Sequence, residues 1–245
     1  MACPRFFAPG VDVASALVTL PPDEAHHLTH VLRLGVGADV VVFNGRGAEW
    51  AGRVLSVGRR EVRVECLSSL TPLAEPPVDV TVAVGVLKAD QMDAVVRDAT
   101  MLGAWAIVPM TTDHVAVPAR ARIAATARWH RVAVASAKQC RRSVVPTIDP
   151  LTPFGDLVAR ETFDLKLICV EPGHRAADRG WVATAGAARP QTALLLVGPE
   201  GGWSEAEADW ATRLGVRPFH LGPRTLRAEA APTVALTALW TAWGW

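Results

Sequence analysis

Two stretches toward the C-terminal end hold the residue types and spacings best suited to chemistry. The first is Leu194-Leu195-Leu196-Val197-Gly198-Pro199-Glu200-Gly201-Gly202-Trp203-Ser204, where an apolar run meets a glycine-rich turn and then a helix start. Ligands of open α/β sheets bind beyond the carboxyl ends of strands, and glycines there permit close backbone approach or positive φ. A plain tight turn between strand and helix accounts for the same residues. The turn lacks the Gly-Lys-Ser/Thr ending of a phosphate loop and is no GxGxxG fingerprint. The second stretch is Leu221-Gly222-Pro223-Arg224-Thr225-Leu226-Arg227-Ala228-Glu229, a strand end followed by a stiff loop with two arginines and a carboxylate. An arginine and a glutamate side by side suit an anion or a carboxylate ligand. The helix dipole alone also favours a glutamate at that helix start, and ordinary surface charge is the alternative reading of the two arginines.

A third feature is electrostatic. Between Asp113 and Asp149 there is no acidic residue, yet Arg120, Arg122, Arg128, Arg131, Lys138, Arg141 and Arg142 all fall there. Solvated helix faces normally mix signs, so an unmixed run suits phosphate, with a solvated face as the structural alternative. His26, His27, His30 and His130 are possible proton carriers, although scattered histidines more often fill surface or core. No HExxH motif or paired Cys/His spacing suggests a metal. No GxSxG elbow marks a nucleophile, and with no tyrosine in the chain, tyrosine catalysis is excluded. Asp90, Asp93 and Asp98 read as a charged helix face.

The elements that must position these residues fall into two styles. Before the proline-rich seam at Ser68–Pro77, short β-type runs dominate: Arg5–Ala8, Ala16–Leu20, Asp39–Phe43, Glu49–Val57 and Glu61–Leu67. Several alternate, as in Val62-Arg63-Val64-Glu65-Cys66, with turn signals at Asn44-Gly45 and Gly58. One helix is predicted over Asp23–Arg33. Five strands and a helix read as a small barrel, with a two-sheet sandwich as the alternative. After the seam, unbroken apolar strands at Val78–Leu87, Trp105–Met110, Leu165–Val170 and Ala193–Val197 alternate with helices at Ala89–Gly103, Ile123–Arg141 and Ser204–Leu214. Ser204 and Glu207 form a capping-box pattern. A short strand at Pro218–Leu221 and an apolar helix at Glu229–Trp240 follow. This rhythm predicts a mostly parallel sheet covered on both faces. The predicted division is a barrel domain at 1–70, a linker at 71–77 and an α/β domain at 78–245.

Composition narrows the class. Of 245 residues, 50% are apolar and 20% charged, which excludes wholesale disorder. A net charge of +1 excludes a uniformly basic nucleic-acid binder but leaves room for a local basic face. Cys3, Cys66, Cys140 and Cys169 lie far apart, so neither a local zinc site nor a disulfide framework is expected. No apolar run is long enough to span a bilayer, and Met1-Ala2-Cys3-Pro4-Arg5 lacks the apolar stretch of a signal peptide. The expectation is a soluble, cytoplasmic protein with no membrane and no metal.

The Gly198–Gly202 turn followed by Leu221–Glu229 resembles the SPOUT methyltransferases, in particular the small-subunit ribosomal RNA uracil-N3 methyltransferases (RsmE type). That family's pattern is a GPEGG turn and then LGxRxLRxET. The similarity extends to Arg5-Phe6-Phe7, His30–Leu34, Lys88 and Gln139–Arg142 with Val145-Pro146, and so covers nearly the whole chain. It implies a PUA-like β-barrel RNA-binding domain followed by an α/β SPOUT domain with a trefoil knot. It also implies a homodimer, and S-adenosyl-L-methionine as methyl donor to N3 of a specific uridine in 16S ribosomal RNA or the 30S subunit.

Carried over by residue, Glu171 with Pro172, Val197, Gly198, Pro199, Glu200, Gly201, Gly202, Leu221, Gly222, Arg224 and Leu226 would hold the cofactor. Arg227 and Glu229 would be catalytic. Arg5, Arg33, Lys88, Gln139 and Arg142 would face RNA. The chain departs from the family pattern at Ala228 and Ala230, where hydroxyl residues are common, and at Met101 and Lys138, where glutamate is frequent. Pro232 replaces a plain helix former, so the last helix is expected to start late. Two other readings stay open: a SPOUT enzyme acting elsewhere on ribosomal or transfer RNA, and a non-catalytic PUA-type assembly factor.

Overall fold

Alternation of wet and dry residues becomes a sheet in the first half of the chain. The computed structural model describes residues 3–12, 15–59, 61–115, 125–174 and 189–245. They fall into two units, Met1–Ala74 with Val134–Val145, and Glu75–Ala133 with Pro146–Trp245.

In the first unit, β1 (Arg5–Phe7), β2 (Leu17–Thr19), β3 (Asp39–Phe43), β4 (Glu49–Val57) and β5 (Val62–Leu70) make one five-stranded sheet in the order β1-β3-β4-β5-β2. A single sheet sets aside the two-sheet sandwich. Only β1 and β3 run parallel. The alternating side chains Val40, Val42, Trp50, Val54, Val62 and Val64 are buried in one cluster with Phe6 and Leu28. The Asn44-Gly45 turn forms between β3 and β4, and the Asn44 side chain accepts from the backbone N–H groups of Arg46 and Ala48.

The helix expected over Asp23–Arg33 is not regular. An α-helical turn, α1 (Pro22–His26), passes into π-helical winding over His27–Val31. Leu32 N–H reaches back to the His27 carbonyl, and the Thr29 hydroxyl bonds the Ala25 carbonyl at 2.8 Å. A threonine bonding the carbonyl four residues back loosens helical winding locally. The segment then ends at Arg33 with φ 54°.

The second unit holds seven strands among its described residues: β6 (Asp79–Gly85), β7 (Ala106–Thr111), β8 (Thr147–Ile148), β9 (Thr152–Pro153), β10 (Leu165–Cys169), β11 (Thr192–Val197) and β12 (Arg217–Phe219). Their order is β12-β10-β11-β6-β7-β8 with β9 also on β7, and every pairing is parallel. β6 and β11 are buried on both faces, which is why they read as unbroken apolar runs. The helices among the described residues are α2 (Ala89–Met101), α3 (Thr126–Cys140), α4 (Phe154–Val158), α5 (Glu205–Arg213) and α6 (Ala231–Ala242). Residues of α3 from Val134 onward count with the first unit.

The capping box at Ser204 forms in full, with Glu207 N–H donating to the Ser204 hydroxyl and Ser204 N–H donating to the Glu207 carboxylate. The last helix starts at Ala231 rather than Glu229, with Pro232 in its first turn, where a missing N–H costs nothing. Among the described residues, no helix is long and apolar enough to cross a membrane.

Candidate functional site

Three neighbouring parallel strands end at one level. Cys169 on β10 pairs with Val197 on β11 on one side and with Phe219 on β12 on the other. Beyond those ends the chain turns three times, and Val170–Pro172, the Gly198–Trp203 turn and the loop from Leu221 line a single cleft of about 350 Å³. Gln91, from the first turn of α2, closes it from another side. This is the carboxyl edge of an open parallel sheet, where such folds bind ligands.

The glycine-rich turn is held by contacts that small residues permit. A Cβ on Gly85 at the end of β6 would lie 2.7 Å from Pro199, so only glycine there lets the turn settle on the sheet edge. Gly202 has φ +69°, and its N–H closes the turn on the Pro199 carbonyl at 2.9 Å. The Trp203 indole N–H donates to the Cys169 carbonyl at 2.8 Å, fastening the turn to the neighbouring strand. His114 Nδ1 sits 3.0 Å from the Gly201 carbonyl and braces the turn from outside. The glycine-rich wall of the cleft is therefore held by bonds within the protein itself.

Charge is concentrated on the remaining wall. Arg227 Nη1 stands 3.9 Å from Glu229 Oε1, with 87% of the arginine side chain exposed against 22% of the glutamate. Gln91 Nε2 donates to Glu229 Oε2 at 3.3 Å. Glu171, Glu200 and Arg224 also line the cleft, and Glu171 lies against Gly202. Cys169 also lines the cleft, and burial pushes its thiol up to about 12, so it is protonated at neutral pH and is no nucleophile. The arrangement offers backbone groups for a flat or folded ligand, carboxylates for a cation, and an arginine for a developing anion.

Of the residues expected at the site, Glu171, Val197, Gly198, Pro199, Glu200, Gly202, Leu221, Arg224, Leu226, Arg227 and Glu229 all line this cleft. Gly201 and Gly222 shape it from behind: Gly201 rests on His114, and Gly222, at φ +113°, folds back on His220 Nδ1. Gln91 and Trp203 line it without having been singled out. Trp203 carried a signal, directly following the glycines. Gln91 carried only its place in a helix that follows a strand end.

The residues expected to face RNA divide. Arg33, Lys88 and Gln139 are exposed. Arg5 and Arg142 lie instead inside the first unit. Arg5 pairs with Glu49 at 2.6 Å and contacts the Ser143 hydroxyl, and Arg142 is buried. The sequence neighbours of Arg5 are neutral, but the fold brings Glu49 and Ser143 to it. The same holds for the acid-free basic run. Arg128 pairs with Asp93, and Lys138 pairs with Glu24 at 2.8 Å, so Arg131 and Arg141 are the exposed described positives of the run outside these two ion pairs. Arg120 and Arg122 lie outside the described residues. Among the described residues no cluster of metal-ligating side chains occurs.

Comparison with known proteins matches this architecture. A family model for an RNA methyltransferase domain matches residues 74–240, and one for an RNA methyltransferase PUA domain matches residues 20–66. The ribosomal RNA small subunit methyltransferase E of Synechocystis sp. is 31% identical over 93% of this chain and 74% of its own length. That of Bacillus subtilis is 29% identical over 89% and 87%. A methyltransferase of Legionella pneumophila, solved with its bound cofactor SAM, superposes with a TM-score of 0.88 at 28% identity over 99% of this chain and 98% of that one. The ribosomal RNA small subunit methyltransferase E of Neisseria gonorrhoeae, bound to S-adenosyl methionine, gives 0.86 at 28% identity with the same coverage. With a catalytic-domain match across most of its length, and the strand-end cleft inside that match, the chain belongs to the RNA methyltransferase family that includes the ribosomal RNA small subunit methyltransferases E.

Proposed function

We propose that this protein transfers a methyl group from S-adenosyl-L-methionine to N3 of one uridine in small-subunit ribosomal RNA, as a cytoplasmic homodimer with a knotted SPOUT domain. The observation that carries the reading is the cleft at three level strand ends, with Arg227 and Glu229 on its wall. The residues fit the cofactor chemically. Backbone of the two glycine-containing loops suits a folded nucleoside, and Glu171, Glu200 and Glu229 suit a sulfonium cation. When bound, the cofactor supplies an electrophilic methyl group.

The protein's own residues then have three tasks. Uracil N3 is a weak acid that keeps its proton at neutral pH, so that proton must leave and the resulting anion must be stabilised. Arg227, mostly exposed and only 3.9 Å from its carboxylate partner, is free to swing its guanidinium onto the N3/O4 anion. Glu229 either orients Arg227 or accepts the proton from N3. The rigid backbone wall fixes the distance between donor and base. N3 lies on the pairing edge, so the target uridine must be unpaired or flipped out.

The test incubates the protein with labelled S-adenosylmethionine and small subunits from a strain lacking the modification, then identifies the product by nucleoside mass spectrometry. The expected result is 3-methyluridine at a single site. Label on another nucleoside would retain the enzyme and remove this target. Cofactor binding without any label on subunits or free RNA would replace the reading by a non-catalytic assembly factor.

A further inference from the structure

Gln91 sits in the first turn of α2, whose apolar residues Met92, Val95 and Val96 are buried. Its own side chain is not needed for that packing. It lines the cleft and donates from Nε2 to Glu229 Oε2 at 3.3 Å, across 138 positions of sequence. That bond fixes which end of the amide points where, because the flipped amide would set two acceptors against each other. Oε1 is then left buried with no hydrogen-bond partner among the described residues. A buried acceptor costs stability unless a donor reaches it. Here the acceptor belongs to a residue that lines the ligand cleft and already holds a carboxylate.

We propose that Gln91 is a positioning residue of this site: its Nε2 holds Glu229 beside Arg227, and its Oε1 accepts an N–H from the molecule bound in the cleft. The proposal rests on the methyl-transfer reading above. The N–H donor belongs either to an amino group of the cofactor or to the target base, and one set of variants tells them apart.

The test compares the full-length parent with Gln91→Met, Glu229→Gln and the double variant. Readouts are calorimetric affinity for S-adenosylmethionine, the single-turnover rate of methyl transfer to small-subunit RNA, and melting temperature. Methionine keeps the length of the side chain and removes both polar ends. With the donor on the cofactor, Gln91→Met weakens cofactor affinity about tenfold. With the donor on the base, affinity is unchanged and the saturated rate falls about tenfold. In both cases the melting temperature does not fall, because an unmatched buried acceptor has been removed. The double variant loses less than the product of the two single losses, because part of the Gln91 effect passes through Glu229. Affinity and rate both within about twofold of the parent, or losses that multiply in the double variant, overturn the proposal. A parent that binds cofactor but methylates no RNA removes the methyl-transfer reading, and the calorimetric comparison alone then decides the role of Gln91.

Discussion

In the first unit, Arg5 meets Glu49 at 2.6 Å with 11% and 9% of the two side chains exposed; in the second, Arg227 stands 3.9 Å from Glu229 with 87% of its own side chain open. The residue types are the same and the conditions are opposite. Arg5 is surrounded: it also contacts the Ser143 hydroxyl and lies over the Phe43 ring. Ser143 in turn donates to Glu49 at 2.7 Å. Both terminal guanidinium nitrogens of Arg5 are engaged within the unit, and the network joins residues 142 and 143 to β1 and β4. Arg227 is held at one edge only, so most of its hydrogen-bonding capacity is available. The difference teaches how to sort charges: a close buried pair is architecture, and an arginine left open beside a carboxylate in a cleft is reserved for a reaction.

The first way to break this comparison is to remove an architectural partner. Glu49→Ala strands a buried guanidinium and is expected to cost about 3–5 kcal/mol of unfolding free energy. Urea titration measures it; a loss below about 1 kcal/mol would place this pair among ordinary surface contacts. A second change alters position without altering charge. Gly85→Ala puts a methyl group 2.7 Å from Pro199 and displaces the glycine-rich turn, at an expected cost of about 1–3 kcal/mol. That loss is to be read in cofactor affinity by calorimetry, and unchanged affinity would mean the turn does not form the cofactor wall.

The smallest effect concerns Asp164, a carboxylate that is exposed yet satisfied by backbone N–H groups of Thr192 and Gln191. Those bonds hold its carboxyl below the usual carboxylate range. A depressed value means the stabilisation is fully present above the unfolded value of about 3.9 and disappears as pH falls through the folded one. Thermal melts of Asp164→Ala against the parent should therefore differ slightly at pH 7 and converge in strong acid. A gap that widens as pH falls would reverse the sign of this coupling.

Much of this division is legible in the sequence. The β-type runs Asp39–Phe43 and Glu49–Val57 predict β3 and β4 with their observed bounds, because β-formers set off by turn signals at Asn44-Gly45 and Gly58 mark strands locally. The glycine-rich turn and the Leu221–Glu229 loop marked the cleft because backbone shape there is dictated by local residue types. Interactions across long sequence separations left no such trace. Nothing near Arg5 or Lys138 announced Glu49 or Glu24, so both cations read as free when the fold had already engaged them. Gln91 was invisible for the same reason, since its meaning comes from Glu229. The strands β8 and β9 are two residues each, too short for any period to register.

The most direct measurement is the single-turnover rate of methyl transfer by Arg227→Ala, at saturating cofactor and small subunits, beside its melting temperature and its cofactor affinity. An arginine reserved for the uracil anion predicts a rate about 100- to 1,000-fold lower, with stability and cofactor affinity near those of the parent. A rate within about twofold of the parent would contradict the account, leaving Arg227 as surface charge and positioning by the backbone wall as the source of catalysis.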